Sequence, residues 1–166
     1  MYKRQELALS KKERRWGISV LYGQRLFHAI REQQNVVDGK DIYQYFRLSG
    51  ESGIFACLLA LADTLTMQLE VGFEDIWYKE LDLARTLLEG YWEKNNQCVN
   101  PPDYINGHEL LKMYPEVSRN LIGFWLEKIK EATASGLIQN KKDAVSYLEK
   151  LMSNPNQNKT FTPIDY

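Results

Sequence analysis

Cysteine and histidine are nearly absent from this chain, proline is sparse, and no apolar run is long. Its two cysteines, Cys57 within an apolar stretch and Cys98 shortly before a proline pair, are too few and too differently placed for a disulfide framework, so a reducing, cytoplasmic setting is expected. Spanning a bilayer takes roughly 20 apolar residues. The most apolar stretch, Ile54 to Leu65, is shorter and carries Asp63, which predicts a soluble chain with no membrane partner. The start, Met1-Tyr2-Lys3-Arg4-Gln5-Glu6, has neither the apolar block nor the cleavage site of a secretory signal. A Gly-rich phosphate loop, His-Glu-x-x-His, a close Cys/His quartet and Gly-x-Ser-x-Gly are all missing, so no catalytic residue is assigned. The two histidines, His28 and His108, are eighty residues apart. His28 falls near the apolar face of a helix and reads as a packed imidazole; His108 follows an N-cap and reads as exposed.

What is present suits a globular helical protein. With 44% hydrophobic and 26% charged residues in 166, the chain can bury one core or two small adjoining ones. The net charge of −1 conceals an uneven distribution. Residues 1 to 31 carry Lys3, Arg4, Lys11, Lys12, Arg14, Arg15, Arg25 and Arg31 against only Glu6 and Glu13, a net +6, while residues 32 to 100 are net −7. A cationic end of this kind can meet phosphate through salt-dependent electrostatics.

Ser10-Lys11-Lys12-Glu13 is a capping box and predicts a helix to about Arg31, with Trp16, Val20, Leu21, Phe27 and Ile30 on its apolar face and Gly17 and Gly23 weakening it. Asp38 predicts the start of a short helix holding Ile42, Tyr43, Tyr45 and Phe46, which Ser49-Gly50 ends. Ile54 to Glu70 reads as a third helix, apolar on most sides and so central. Glu74 to about Asn95 reads as a fourth, with Trp77, Leu81, Ala84, Leu88 and Trp92 as its packed stripe. Pro101-Pro102 breaks the pattern. Helices are then expected over 107–114, 118–134 and 141–152.

No segment alternates like a strand, so the expected fold is all-α, with about six or seven helices. The expected domains are a larger bundle over 1–98, a helical tail subdomain over 104–152 and a flexible tail over 153–166. Carboxylates crowd the fourth helix at Glu74, Asp75, Glu80, Asp82 and Glu89, and read as a solvated face. Asp63 stands apart. It interrupts Leu59-Ala60-Leu61-Ala62-Asp63-Thr64-Leu65, where a buried carboxylate needs a partner: a nearby arginine, a helix end, or a metal.

Several strings from about Leu7 to Leu151 carry a family resemblance. They are Leu9-Ser10-Lys11-Lys12-Glu13; Asp41-Ile42-Tyr43-Gln44-Tyr45-Phe46-Arg47 with Gly50-Glu51-Ser52-Gly53; Leu58 to Asp63; and Pro101-Pro102 followed by Ile105-Asn106-Gly107-His108-Glu109-Leu110-Leu111. In order and spacing they resemble the helical neck, body and tail that follow the catalytic head of bacterial CCA-adding tRNA nucleotidyltransferases and the related poly(A) polymerases. Gly-Gly with a following Arg-Asp is missing, and so is a strand-borne Asp-x-Asp. The resemblance therefore implies the downstream half of such a protein, with magnesium and nucleotide bound by an N-terminal catalytic head and no cofactor held here.

The same resemblance implies tRNA or another RNA as partner in tRNA processing. The residues expected to face it are Lys11, Lys12, Arg14, Arg15, Arg25, Arg47, Arg119, Lys128, Lys141 and Lys142, with Tyr43 available to stack. Tyr45, Phe46, Trp77 and Trp92 are expected in the core. Some relatives insert an HD phosphohydrolase domain whose last metal ligand would correspond to Asp63, but the paired His-Asp is absent, and Val20-Leu21-Tyr22-Gly23-Gln24-Arg25 stands where Val-x-x-His-x-Arg is usual. The family's Pro-Gly-Pro turn is replaced by Tyr114-Pro115-Glu116. A non-enzymatic interaction module, or a relic of the hydrolase domain, are the other readings these residues leave open.

Overall fold

The computed structural model describes residues 9–33, 35–67, 72–115 and 117–153. Within them the fold is all-helical: α1 (Lys11–Glu32), α2 (Gly39–Ser49), α3 (Ser52–Leu65), α4 (Phe73–Trp92), a π turn (Asn95–Val99), α5 (Gly107–Met113), a 3-10 turn (Arg119–Leu121), α6 (Ile122–Ala134) and α7 (Lys141–Met152). The beginnings are written in local chemistry. Ser10 and Glu13, Asp38 and Asp41, and Asn106 and Glu109 each form a reciprocal capping box, satisfying amides that the first turn of α1, α2 or α5 leaves without partners. From residue 154 on, the tail expected at the C-terminus lies outside the described residues, as does Glu116.

Two apolar clusters organise the helices. Phe27, Ile42, Tyr45, Phe46, Cys57, Leu83, Leu87 and Cys98 pack α1 to α4 and the π turn together. Ile105, Leu110, Trp125, Ile129, Ile138, Ala144 and Leu148 pack α5 to α7. Helix α2 belongs to the first cluster and also lies against α6. There Gly39 permits close approach: a Cβ at that position would sit 2.0 Å from the Ala134 carbonyl oxygen.

At Gly50, with φ +58°, the chain leaves α2 and turns through 103° into α3. Helix α3 then packs along α1, and the pairs Trp16–Phe55 and Gln24–Asp63 advance in the same sense along both. Close contact depends on small residues. A Cβ on Gly23 would fall 2.8 Å from Ala56 Cβ and 3.3 Å from Ser49 Cβ, and one on Gly53 would meet Ser49 Oγ and the Tyr45 ring. The Tyr45 hydroxyl donates to the Gly53 carbonyl at 2.8 Å, so the Gly-Glu-x-Gly segment serves a helix corner.

Three expected faces are corrected. Helix α3 buries its small side, Ala56, Cys57, Ala60 and Thr64, and leaves Phe55, Leu58 and Leu65 exposed, because only small side chains fit so close to α1. It ends at Leu65 rather than Glu70: the amide and hydroxyl of Thr66 both donate to the Asp63 carbonyl, tightening the last turn. Helix α4 is rotated from its expected stripe. It buries Glu80, Leu83, Ala84, Leu87 and Gly90 while Leu81 and Trp92 are exposed, since Gly90 lets Ile42 approach where a side chain would collide. On α1, Trp16 and Leu21 are exposed, and the buried line is Val20, Gly23 and Phe27.

Candidate nucleic-acid interface

The first two turns of α1 carry Lys11, Lys12, Arg14 and Arg15, all exposed and in no ion pair among the described residues. Ser10, itself in an extended conformation, caps α1, and the Glu13 carboxylate accepts its amide at 2.7 Å. Hydrogen bonds from Ser10 hold the Glu13 carboxyl below its ordinary range, so the one acid among these cations is committed to the cap. Arg25 lies on the same outward side of α1, reached from Lys11 through Arg15 and Ile18 at steps of four, three and seven, and it too is exposed.

The other expected contacts divide. Tyr43 is 2% exposed, and its hydroxyl donates to Glu127 Oε1 at 2.9 Å; burial first, then that carboxylate, push the phenol far above its usual range. Stacking by Tyr43 is therefore corrected to a structural role between α2 and α6. Arg47 donates to the same carboxylate at 3.2 Å, and Lys128 donates to Glu131 at 2.9 Å while lying 5.7 Å from the Phe124 ring centre. Lys141 pairs with Glu109, the N3 residue of the α5 cap. Each of these cations already has an anionic neighbour. Arg119, on the 3-10 turn, and Lys142, on the first turn of α7, are exposed. They sit with the second apolar cluster, and among the described elements α1 packs on α2, α3 and α4, so the described residues do not bring them beside the basic turns of α1.

The carboxylates exchange roles relative to expectation. Asp63 is exposed and accepts from the Gln24 amide, and among the described residues no group of three or more His, Cys, Asp or Glu could hold a metal. Glu80, expected on a solvated face, has no exposure at all. It accepts from Arg31 and from the Thr64 hydroxyl, and His28 Nδ1 lies 3.5 Å away. The sequence does contain the signal. Glu80 is in helical phase with Leu83, Ala84 and Leu87, one position removed from the stripe drawn through Leu81 and Leu88.

Trp16, expected on the apolar face of α1, belongs instead to this surface. Trp16 is 52% exposed, one turn after Lys12. Its ring meets Phe55 edge to face, 5.3 Å between centres at 71°, with Phe55 and Leu58 themselves about half exposed on the adjoining turn of α3. The chain matches no protein-family model, no curated protein and no solved structure.

Proposed function

We propose that this chain is an RNA-gripping helical module, the non-catalytic body and tail of a protein of the tRNA nucleotidyltransferase and poly(A) polymerase type, with nucleotide chemistry carried out by a head that binds magnesium and nucleotide. One observation carries the reading: Lys11, Lys12, Arg14 and Arg15 stand together on two turns, exposed and unneutralised among the described residues, while Arg47, Lys128 and Lys141 each face a carboxylate. Uncompensated cations at this density favour a polyanion, whose binding releases condensed counterions. The tRNA acceptor arm is the partner that the family resemblance implies. Arg25 extends the grip along α1; Arg119 and Lys142 make a separate contact.

The test is a gel shift with tRNA across a salt series. Binding should fade steeply as salt rises, and reversing Lys11, Lys12, Arg14 and Arg15 to glutamate should abolish it. A second reading, a protein-interaction module, draws on the outer face of α4, where Tyr78, Leu81 and Trp92 are exposed between Asp75, Asp82 and Glu89. No shift at any salt concentration would favour that second reading.

A further inference from the structure

We infer that Trp16 is a stacking platform for an unpaired base, so that the RNA bound at the start of α1 is single-stranded there. This rests on the RNA-binding reading above and specifies the kind of RNA segment the site takes.

Half of a tryptophan left in water on an amphipathic helix forgoes burial that Val20 and Phe27 obtain on the same helix. The ring is nonetheless held. Phe55 meets it edge to face at 5.3 Å and 71°, and Leu58 lies one turn further along α3. A ring already oriented by its neighbour loses little freedom when a second flat group covers it. Lys12 precedes Trp16 by four residues, which on a helix places the two Cβ atoms about 5–6 Å apart on one face. Arg15, the preceding residue, lies about 100° around the helix on the neighbouring flank, with Lys11. An aromatic face bordered by cations combines the two elements with which proteins hold single strands, a base stacked on a ring and phosphates on Lys or Arg. Paired bases are covered by their neighbours on both faces, so a duplex has no free π-face to offer Trp16.

The charges also argue against a second copy of the chain as the occupant. A two-fold contact through Trp16 and Phe55 would bring Lys12 and Arg15 of one molecule toward the same residues of its mate, and like charges facing each other oppose association. Glu13 keeps its negative charge, but its carboxylate is turned to the Ser10 amide at the helix end and pairs with none of these cations among the described residues.

The experiment measures anisotropy of the 166-residue chain with a labelled short oligouridylate, the corresponding abasic oligomer and a blunt two-stranded duplex of equal charge at low salt. Trp16→Ala should weaken oligouridylate binding about tenfold, within the range of one base–aromatic stack, with the salt slope unchanged. Trp16→Phe should restore most of the loss. Duplex and abasic binding should not respond to either change. Circular dichroism verifies that both variants fold. Oligouridylate affinity that is insensitive to Trp16→Ala, or equal losses for all three ligands, overturns the stacking platform while leaving the RNA reading in place. A dimer in sedimentation that Trp16→Ala dissolves, with RNA affinity unaltered, overturns it in favour of a self-contact. Failure of every ligand to bind removes both readings together.

Discussion

Arg31 of α1 reaches across the first core to Glu80 of α4, a carboxylate without solvent exposure whose other oxygen accepts from the Thr64 hydroxyl. An ion taken out of water is tolerated only with a close partner. Removing the arginine alone should therefore cost more than removing the pair. Arg31→Ala is expected to destabilise by about 3–5 kcal/mol, and Arg31→Met with Glu80→Leu by much less. Urea unfolding of the parent and both variants decides it, and an unchanged midpoint for Arg31→Ala contradicts the pairing.

Gly17 and Gly23 lie on one helix and should respond oppositely to alanine. Nothing stands within 4 Å of a Cβ on Gly17, so Gly17→Ala gains only helix propensity and should stabilise by about 0.5–1 kcal/mol. A Cβ on Gly23 would press on Ala56 and Ser49 across the α1–α3 contact. Overpacking there should outweigh the propensity gain and destabilise by about 1–3 kcal/mol. Melting temperatures of the two variants should move to either side of the parent's.

Alkaline pH should weaken the first core. Burial pushes the Cys57 thiol from an ordinary 9.0 up to about 11, and burial raises the Tyr45 phenol beside it in the same direction. A group whose folded value is raised binds its proton more tightly when folded, so its contribution is complete below the unfolded value and is lost as pH climbs through the folded one. Stability should be level up to about pH 9 and fall between there and 11. Urea midpoints across that range test the slope, and Cys57→Ala should flatten part of it. Native Cys57 should also resist alkylation at pH 8, as thiolate is the reacting form.

The contact between α2 and α6 should be sensitive to a single methyl group. Gly39→Ala places a Cβ against the Ala134 carbonyl, which neither helix can avoid without moving apart. Loss of that approach would also separate Tyr43 and Arg47 from Glu127, and Gln44 from Glu131. Hydrogen exchange should show α2 and α6 losing protection together while α7 keeps its own. Tyr43→Phe, which removes only one hydrogen bond, should cost about 0.5–1.5 kcal/mol. Equal protection in Gly39→Ala and parent would show that the approach is not needed.

Much of the helical layout was legible because caps and breakers are local chemistry. Ser10 with Glu13, Asp38 with Asp41, and Asn106 with Glu109 specify three beginnings within a few residues each, and the all-α class follows from the missing strand alternation. The basic turns of α1 could be named from charge alone. Which face each helix turns inward was decided elsewhere, at contacts between residues far apart in the chain. Gly23 against Ala56, and Gly90 against Ile42, set how closely helices approach and in what rotation, and so put Glu80 inside and left Trp16, Leu58 and Trp92 in water. Hydrophobicity read along one helix registers what a residue can tolerate; only the neighbouring helix determines whether space exists to bury it. For the same reason Tyr43, indistinguishable in sequence from a stacking tyrosine, became a strut to Glu127.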